Sequence, residues 1–424
     1  MRMRPARRVA VCVAAAAVFP IAAAMAQEGG VGSAFVQDRR GETVLSRGRP
    51  DFDALGVRVG AFTVRAGLTE DFGYNDNVTS SHASPKSSAT LVSRGTVSIA
   101  PTWQRHALLL DADAQDYRYF SVSSQDYTNW GAGVSGRYEI ERAWRLFGGY
   151  RHNVIHELQD DPNAEGADVP IKYTRDMFRL GTRYGFNRVY VQPFGALMSY
   201  RYDDAAFSSQ PVSQAYRDRD VWFGRFEVGY EFSPARTAFV ATNIYRADYV
   251  NTPQPGVPKF DNITYELVAG LDYDSDGIWN YRISAGVRRR DYDSSERSAV
   301  TGLALDALAA WRATPMTTVT GTASTSIEEG STMSDGYRDN IATLQVDHEY
   351  LRNVLLQARG RVRYIDYLDQ ERDSVTLTGT LGINYLLNRT VRLGASYEHT
   401  QRFADRTGDE FDRNIVLLRL SLGL

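Results

Sequence analysis

Arginine is the side chain with the most chemistry to offer in this chain. Arg282, Arg288 and Arg290 share one parity along their segment, and Arg359, Arg361 and Arg363 share one parity along another. Arg225 falls in the same phase on its own segment, as do the carboxylates Asp111, Asp113, Glu227 and Glu266 on theirs. A guanidinium grips a carboxylate through paired N–H donors, and pores lined by arginine favour anions. Two uses follow. The cations and carboxylates pair across neighbouring strands and brace a wall, or they form a ladder along the conduit for an anionic or hydroxyl-rich polymer.

Other chemistry finds little support. Six histidines are present. His152 and His156 would suit a metal on a helix, but on a strand they stand about 13 Å apart, too far to share an ion. His348 follows Asp347, yet its parity is that of the apolar face, as is that of His399. No nucleophile, base and orienting group come together, so no catalytic residue is assigned and no enzyme is expected. Asp160-Asp161 and the acids of 71–76 resemble calcium ligands only loosely and are better read as turns or as lipopolysaccharide-facing surface. The one cysteine, Cys12, lies in the N-terminal apolar segment, which leaves no disulfide, thiol catalysis or cysteine metal site. No metal, cofactor or nucleic-acid partner is expected.

What must position the arginines is a set of strands. In 279–290, Trp279, Tyr281, Ile283, Ala285 and Val287 alternate with Asn280, Arg282, Ser284, Gly286, Arg288 and Arg290. Alternate side chains of a strand point to opposite faces, so one face is apolar and the other wet and cationic. The same alternation recurs from residue 62 onward. Leu356, Ala358 and Val362 oppose Arg359, Arg361 and Arg363; Trp222, Phe226 and Val228 oppose Arg225 and Glu227. Two places fit less well: Glu70 falls on an apolar face, and 237–250 has no clear phase.

Aromatics gather near both ends of the apolar faces, and the chain holds 25 tyrosines. No apolar run after the N-terminal segment reaches the roughly 20 residues that a spanning helix needs. Alternating strands with lipid outside and water inside explain both facts. Short turns at 105–106, 141–143, 186–188, 233–236, 275–277, 314–315, 352–353 and 388–389 alternate with longer links at 75–88, 158–169, 203–216, 251–259, 328–336 and 403–411. That is the pattern of periplasmic turns and outside loops. The expectation is an all-β, transmembrane, antiparallel up-and-down β-barrel of about eighteen strands over residues 62–424. A barrel of 16–18 strands is wide enough for an aqueous channel. The longer links are all modest in length, which favours a conduit, or a barrel closed by residues 27–61 until a partner docks, over a pore narrowed by an inward loop.

The N-terminus supplies the address. Arg2, Arg4, Arg7 and Arg8 precede an alanine-rich apolar stretch, and Ala24-Met25-Ala26 fits a signal-peptidase site, so residues 1–26 are a signal peptide. Its removal takes four arginines and no acids, lowering the formal charge from −3 to −7. Residues 27–61 do not alternate and are expected to form a periplasmic or plug segment.

The start of the barrel carries a recognisable pattern. Pro50 and Asp51 lead into Phe52-Asp53, Gly56 and Gly60 step into Phe62, and Tyr74-x-Asp76-Asn77 ends the first strand. This resembles the opening of the second β-barrel porin family of bacterial outer membranes, often associated with exopolysaccharide secretion. The resemblance implies a passive conduit for exopolysaccharide or capsular polysaccharide in the outer membrane of a Gram-negative bacterium. Its partners would be outer-membrane lipids and lipopolysaccharide, the polysaccharide itself and a periplasmic export partner. The alternative is a general diffusion porin for small solutes.

Overall fold

Alternation becomes a closed wall. The computed structural model describes residues 42–331, 334–368, 371–406 and 408–424. The expected signal peptide, and residues 27–41 of the segment after it, lie outside the described residues.

Eighteen long strands and one short flanking strand make a 19-stranded sheet. The long strands are β1 Phe62–Asn75, β2 Ser88–Pro101, β3 Ala107–Tyr119, β4 Tyr127–Glu141, β5 Trp144–Glu157 and β6 Ile171–Phe186. Next come β7 Val189–Tyr202, β8 Arg219–Ser233, β9 Arg236–Tyr249, β10 Asn262–Tyr273, β11 Trp279–Tyr292 and β12 Val300–Thr314. The last are β13 Thr317–Ser331, β14 Ser334–Leu351, β15 Val354–Tyr367, β16 Asp373–Leu386, β17 Val391–Ala404 and β18 Phe411–Gly423. Each pairs antiparallel with its sequence neighbours, and β1 closes on β18 from Gly67↔Gly423 to Asn75↔Ile415. The topology is up-and-down, and closure leaves no free edge in the wall.

The outer face is apolar and bare: Val287 is 62% exposed and Leu418 61%. In water such a belt would be an aggregation surface; lipid is what covers it. Trp279 and Trp311 stack at 5.5 Å near the short-turn rim, as an interfacial girdle does. Glu70 does face outward, and Ser93 Oγ donates to it at 2.6 Å.

The unclear phase of 237–250 has a physical cause. β9 spans this stretch with apolar groups on both faces. Val240 and Ile244 point out, while Phe239, Ala241 and Tyr245 point in. Inside, Phe147, Phe194, Met198, Phe223 and Tyr245 pack into one cluster on β5 to β9. The interior is therefore not uniformly wet: an apolar wall faces one side of it.

Residues 42–56 sit against the inner wall at the short-turn rim. Val44 packs on Leu355 and Leu386, and its N–H donates to Thr318 Oγ1 at 3.0 Å. Arg49 pairs with Glu349 at 2.7 Å, and Arg389 Nε donates to the Pro50 carbonyl at 2.7 Å. A short strand, Val57–Val59, then turns back onto the start of β1. Gly60 opens that turn at φ +59°, while Gly56 leads into the short strand at φ +75°, where an added Cβ would stand 2.8 Å from Thr63 Cγ2 and the Val64 carbonyl. Only glycine fits there.

Candidate functional site

The interior is shaped by a link that does not stay outside. Residues 158–170 join β5 to β6 and fold inward under the long-loop rim. Leu158 packs on the cluster of Val78, Tyr119 and Tyr127, and Gln159 donates to Gln125 at 2.6 Å. Beyond that point the link crosses to the far side of the barrel. Asp160 meets Arg413 of β18 at 3.3 Å, and its carbonyl accepts from Arg402 of β17. Glu165 pairs with Arg372 of the β15–β16 link, which also holds Asp409. The link carries its own small core, with Ala164 and Ala167 buried against Ile155, Tyr173 and Tyr202. It is a strap across the lumen. The expectation that links of modest length leave the pore without an inward loop is corrected here. Length alone misled, because thirteen or so residues with alanines in place of bulky side chains suffice to cross once arginines wait on the other side.

Under the strap lies a cavity of about 600 Å³. Its floor and sides include Arg359, Arg361 and Arg363 of β15, the threonines of β13 to β17, and Tyr117 and Tyr127 of β3 and β4.

The candidate arginines and acids separate into two groups. Most are neutralised within the wall. Arg225 and Arg282 both pair with Glu227, at 2.5 and 2.6 Å, and Arg282 also reaches Asp272 at 2.9 Å. Arg288 pairs with Glu266, and Arg151 bridges Asp111 and Asp113. Arg363 pairs with Asp339 at 2.8 Å, and Arg290 donates to Thr264 Oγ1 and the Ile327 carbonyl. These are braces. Two are different. Arg359 makes one hydrogen bond, to Gln345 at 3.1 Å, and Arg361 makes no hydrogen bond or ion pair among the described residues. Both face the cavity. Asp306 of β12 and Glu398 of β17 also line it.

The motif residues gather elsewhere, at the seam. Asp76 accepts from the backbone and side-chain N–H groups of Asn414, each at 2.7 Å. Asn77 donates to the Ser81 and Asp412 carbonyls. Asp71, fully buried on β1, lies between Arg94 of β2 and Arg419 of β18. Tyr74 points out to lipid, and Phe62 packs near Trp103. The pattern closes the barrel. Pro50, Gly56 and Gly60 belong to the segment at the short-turn rim, Gly60 at φ +59°. Asp51 is exposed beside them.

The histidines hold ordinary partners: His152 with Asp176, His156 with Asn129, His348 with Thr317 and His399 with Asn414.

Two neighbouring acids of the strap titrate differently. Burial works to raise Asp160, but Arg413, Arg402 and Arg363 hold it below the ordinary carboxylate value. Asp161 is pushed up to about 6, first by burial and then by the charge of Glu157, against the weaker help of Arg363, the Asn163 N–H and Arg217. A raised carboxylate favours the docked strap in its neutral form. Docking is therefore strongest below the ordinary carboxylate pKa and weakens as pH rises through about 6. Single-channel conductance is expected to fall when pH is lowered from 7 to 5, and Asp161→Asn is expected to abolish that step at the low level. A conductance that rises on acidification would contradict this sign.

The family model described as "Putative beta-barrel porin 2" matches residues 49–423. No curated protein matches the chain. Among solved structures, the outer-membrane protein OpdK of Pseudomonas aeruginosa is 12% identical at TM-score 0.44, over 85% of this chain and 99% of that one. A BenF-like porin of Pseudomonas fluorescens Pf-5 is 11% identical at TM-score 0.45, over 85% and 99%. OccK3 (OpdO) of Pseudomonas aeruginosa is 14% identical at TM-score 0.44, over 85% and 96%. These likenesses are distant.

Proposed function

This chain belongs to the Putative beta-barrel porin 2 family of outer-membrane β-barrels, and we propose that it is a diffusion channel for small, mainly anionic solutes. The observation that carries the reading is the strapped cavity with Arg359 and Arg361 left without carboxylate partners on its wall. A charge without an internal partner is available to a passing ion, whereas a paired one is spent on the wall. Lipid and lipopolysaccharide surround the barrel, and solute passes through it.

Export of a polysaccharide, which the resemblance at the barrel's start implies, is the less favoured reading. A polymer chain must thread the whole lumen, and the strap lies across its path. The segment 42–56 would also stand beside the entrance at the short-turn rim, where any periplasmic partner would have to displace it.

The test is ion selectivity. The double variant Arg359→Gln, Arg361→Gln is expected to shift the reversal potential of reconstituted channels toward cations by several millivolts or more under a salt gradient. The paired variant Arg288→Gln, Glu266→Gln, which removes a brace and leaves no charge unpaired, should not reproduce that shift. Equal reversal potentials in wild type and the double variant would remove the anion reading.

A further inference from the structure

We infer that the β13–β17 wall holds a binding subsite for a hydroxylated carboxylate of monosaccharide size, a sugar acid in chemical class. The inference rests on the channel reading above and names the solute that the free arginines would hold.

Arg361 is flanked in register by Thr343 on β14 and Thr378 on β16. The belt continues outward to Thr322 on β13 and Thr400 on β17. One guanidinium is thus centred among four hydroxyls, with neighbours about 4.5–5.5 Å apart. These hydroxyls are not spent on the protein. Thr378 and Thr400 share one bond with each other at 3.3 Å, and Thr322 and Thr343 make none among the described residues. Arg359, one step along the same face, adds a second partly free guanidinium.

Each feature has a plain alternative. Threonine is common in strands for packing reasons, and an inward arginine is common in pores. Their combination is more specific. A simple anion needs the guanidinium and gains nothing from the belt. A neutral sugar uses the hydroxyls and leaves the cation unpaired. A solute carrying one carboxylate and several vicinal hydroxyls satisfies both, each hydroxyl donating to one threonine and accepting from another. The cavity, about 600 Å³, falls within the range of small-molecule sites.

The experiment is block of single-channel current by three probes: glucuronate, glucose and acetate. In wild type, glucuronate is expected to half-block at a concentration at least tenfold below either of the others. Arg361→Gln should bring glucuronate level with glucose. Thr343→Val with Thr378→Val, which keeps the strand-favouring shape, should bring it level with acetate and leave the reversal potential unchanged. Equal block by all three probes in a conducting wild-type channel, or glucuronate block untouched by both variants, would overturn the subsite and leave the channel reading standing. A wild-type barrel that inserts but carries no current would overturn both.

Discussion

Asp160→Lys is expected to raise single-channel conductance severalfold. The wild-type carboxylate holds the strap to the far wall through Arg413, with Arg402 on its carbonyl. Lysine would place a third cation beside these two, in a buried setting where like charges cost several kcal/mol. The tie of Glu165 to Arg372 and the small core around Ala164 would remain, so the strap would lift away from β17 and β18 and stay held at Arg372 and at its strand junctions. The barrel wall itself loses nothing, and heat-modifiable migration in gels should be unchanged. Bilayer recordings at neutral pH provide the measurement. Wild-type conductance in this variant would mean that the strap does not set the width of the pore.

The second large effect concerns assembly. Asp71→Ala is expected to destabilise the barrel by about 3–5 kcal/mol, the usual consequence of stripping one partner from a buried ion pair. Asp71 is fully buried and neutralises Arg94 and Arg419 together, with Arg419 bonded at 2.5 and 2.7 Å. It joins three consecutive strands at the place where the two ends of the chain's barrel meet. The β1–β18 ladder there is shorter than that of β1 with β2, so side-chain ties matter more. Denaturant titration of the refolded protein, or loss of the folded band on unheated gels, reports the change. Arg361→Gln, removing a group with no partner, should leave the same midpoint within about 0.5 kcal/mol. If Asp71→Ala folds as firmly as wild type, the seam is held by its backbone alone.

Much of this architecture could be read from alternation. Trp279 to Arg290 sort cleanly by parity because one face meets lipid and the other does not, and such sorting repeated around the chain implies a closed wall. Parity assigns a face and says nothing of the partner across it. Arg282 and Arg361 look alike in sequence, yet the register of β10 with β11 sets Asp272 opposite Arg282, while β14 and β16 set threonines opposite Arg361. Distance in sequence hid the rest. Asp160 is separated from Arg413 by most of the barrel, so an acidic pair in a polar link looked like surface. Asp76 and Asn77 looked like residues of a local turn, since nothing local points to Asn414 and Asp412. The apolar cluster of Phe194, Met198 and Phe223 erased alternation where it occurs, which is the reason β9 had no visible phase.

The most direct test of the central claim is the size of solute that crosses. Purified protein is reconstituted into liposomes, and swelling rates are measured for a graded series from monosaccharides and sugar acids to long dextrans. A solute-limited pore under a docked strap predicts rapid entry of the smallest members, a steep fall at oligosaccharide size and no entry of polymer. Comparable entry of long dextrans would contradict the account and return the barrel to the role of a polymer conduit.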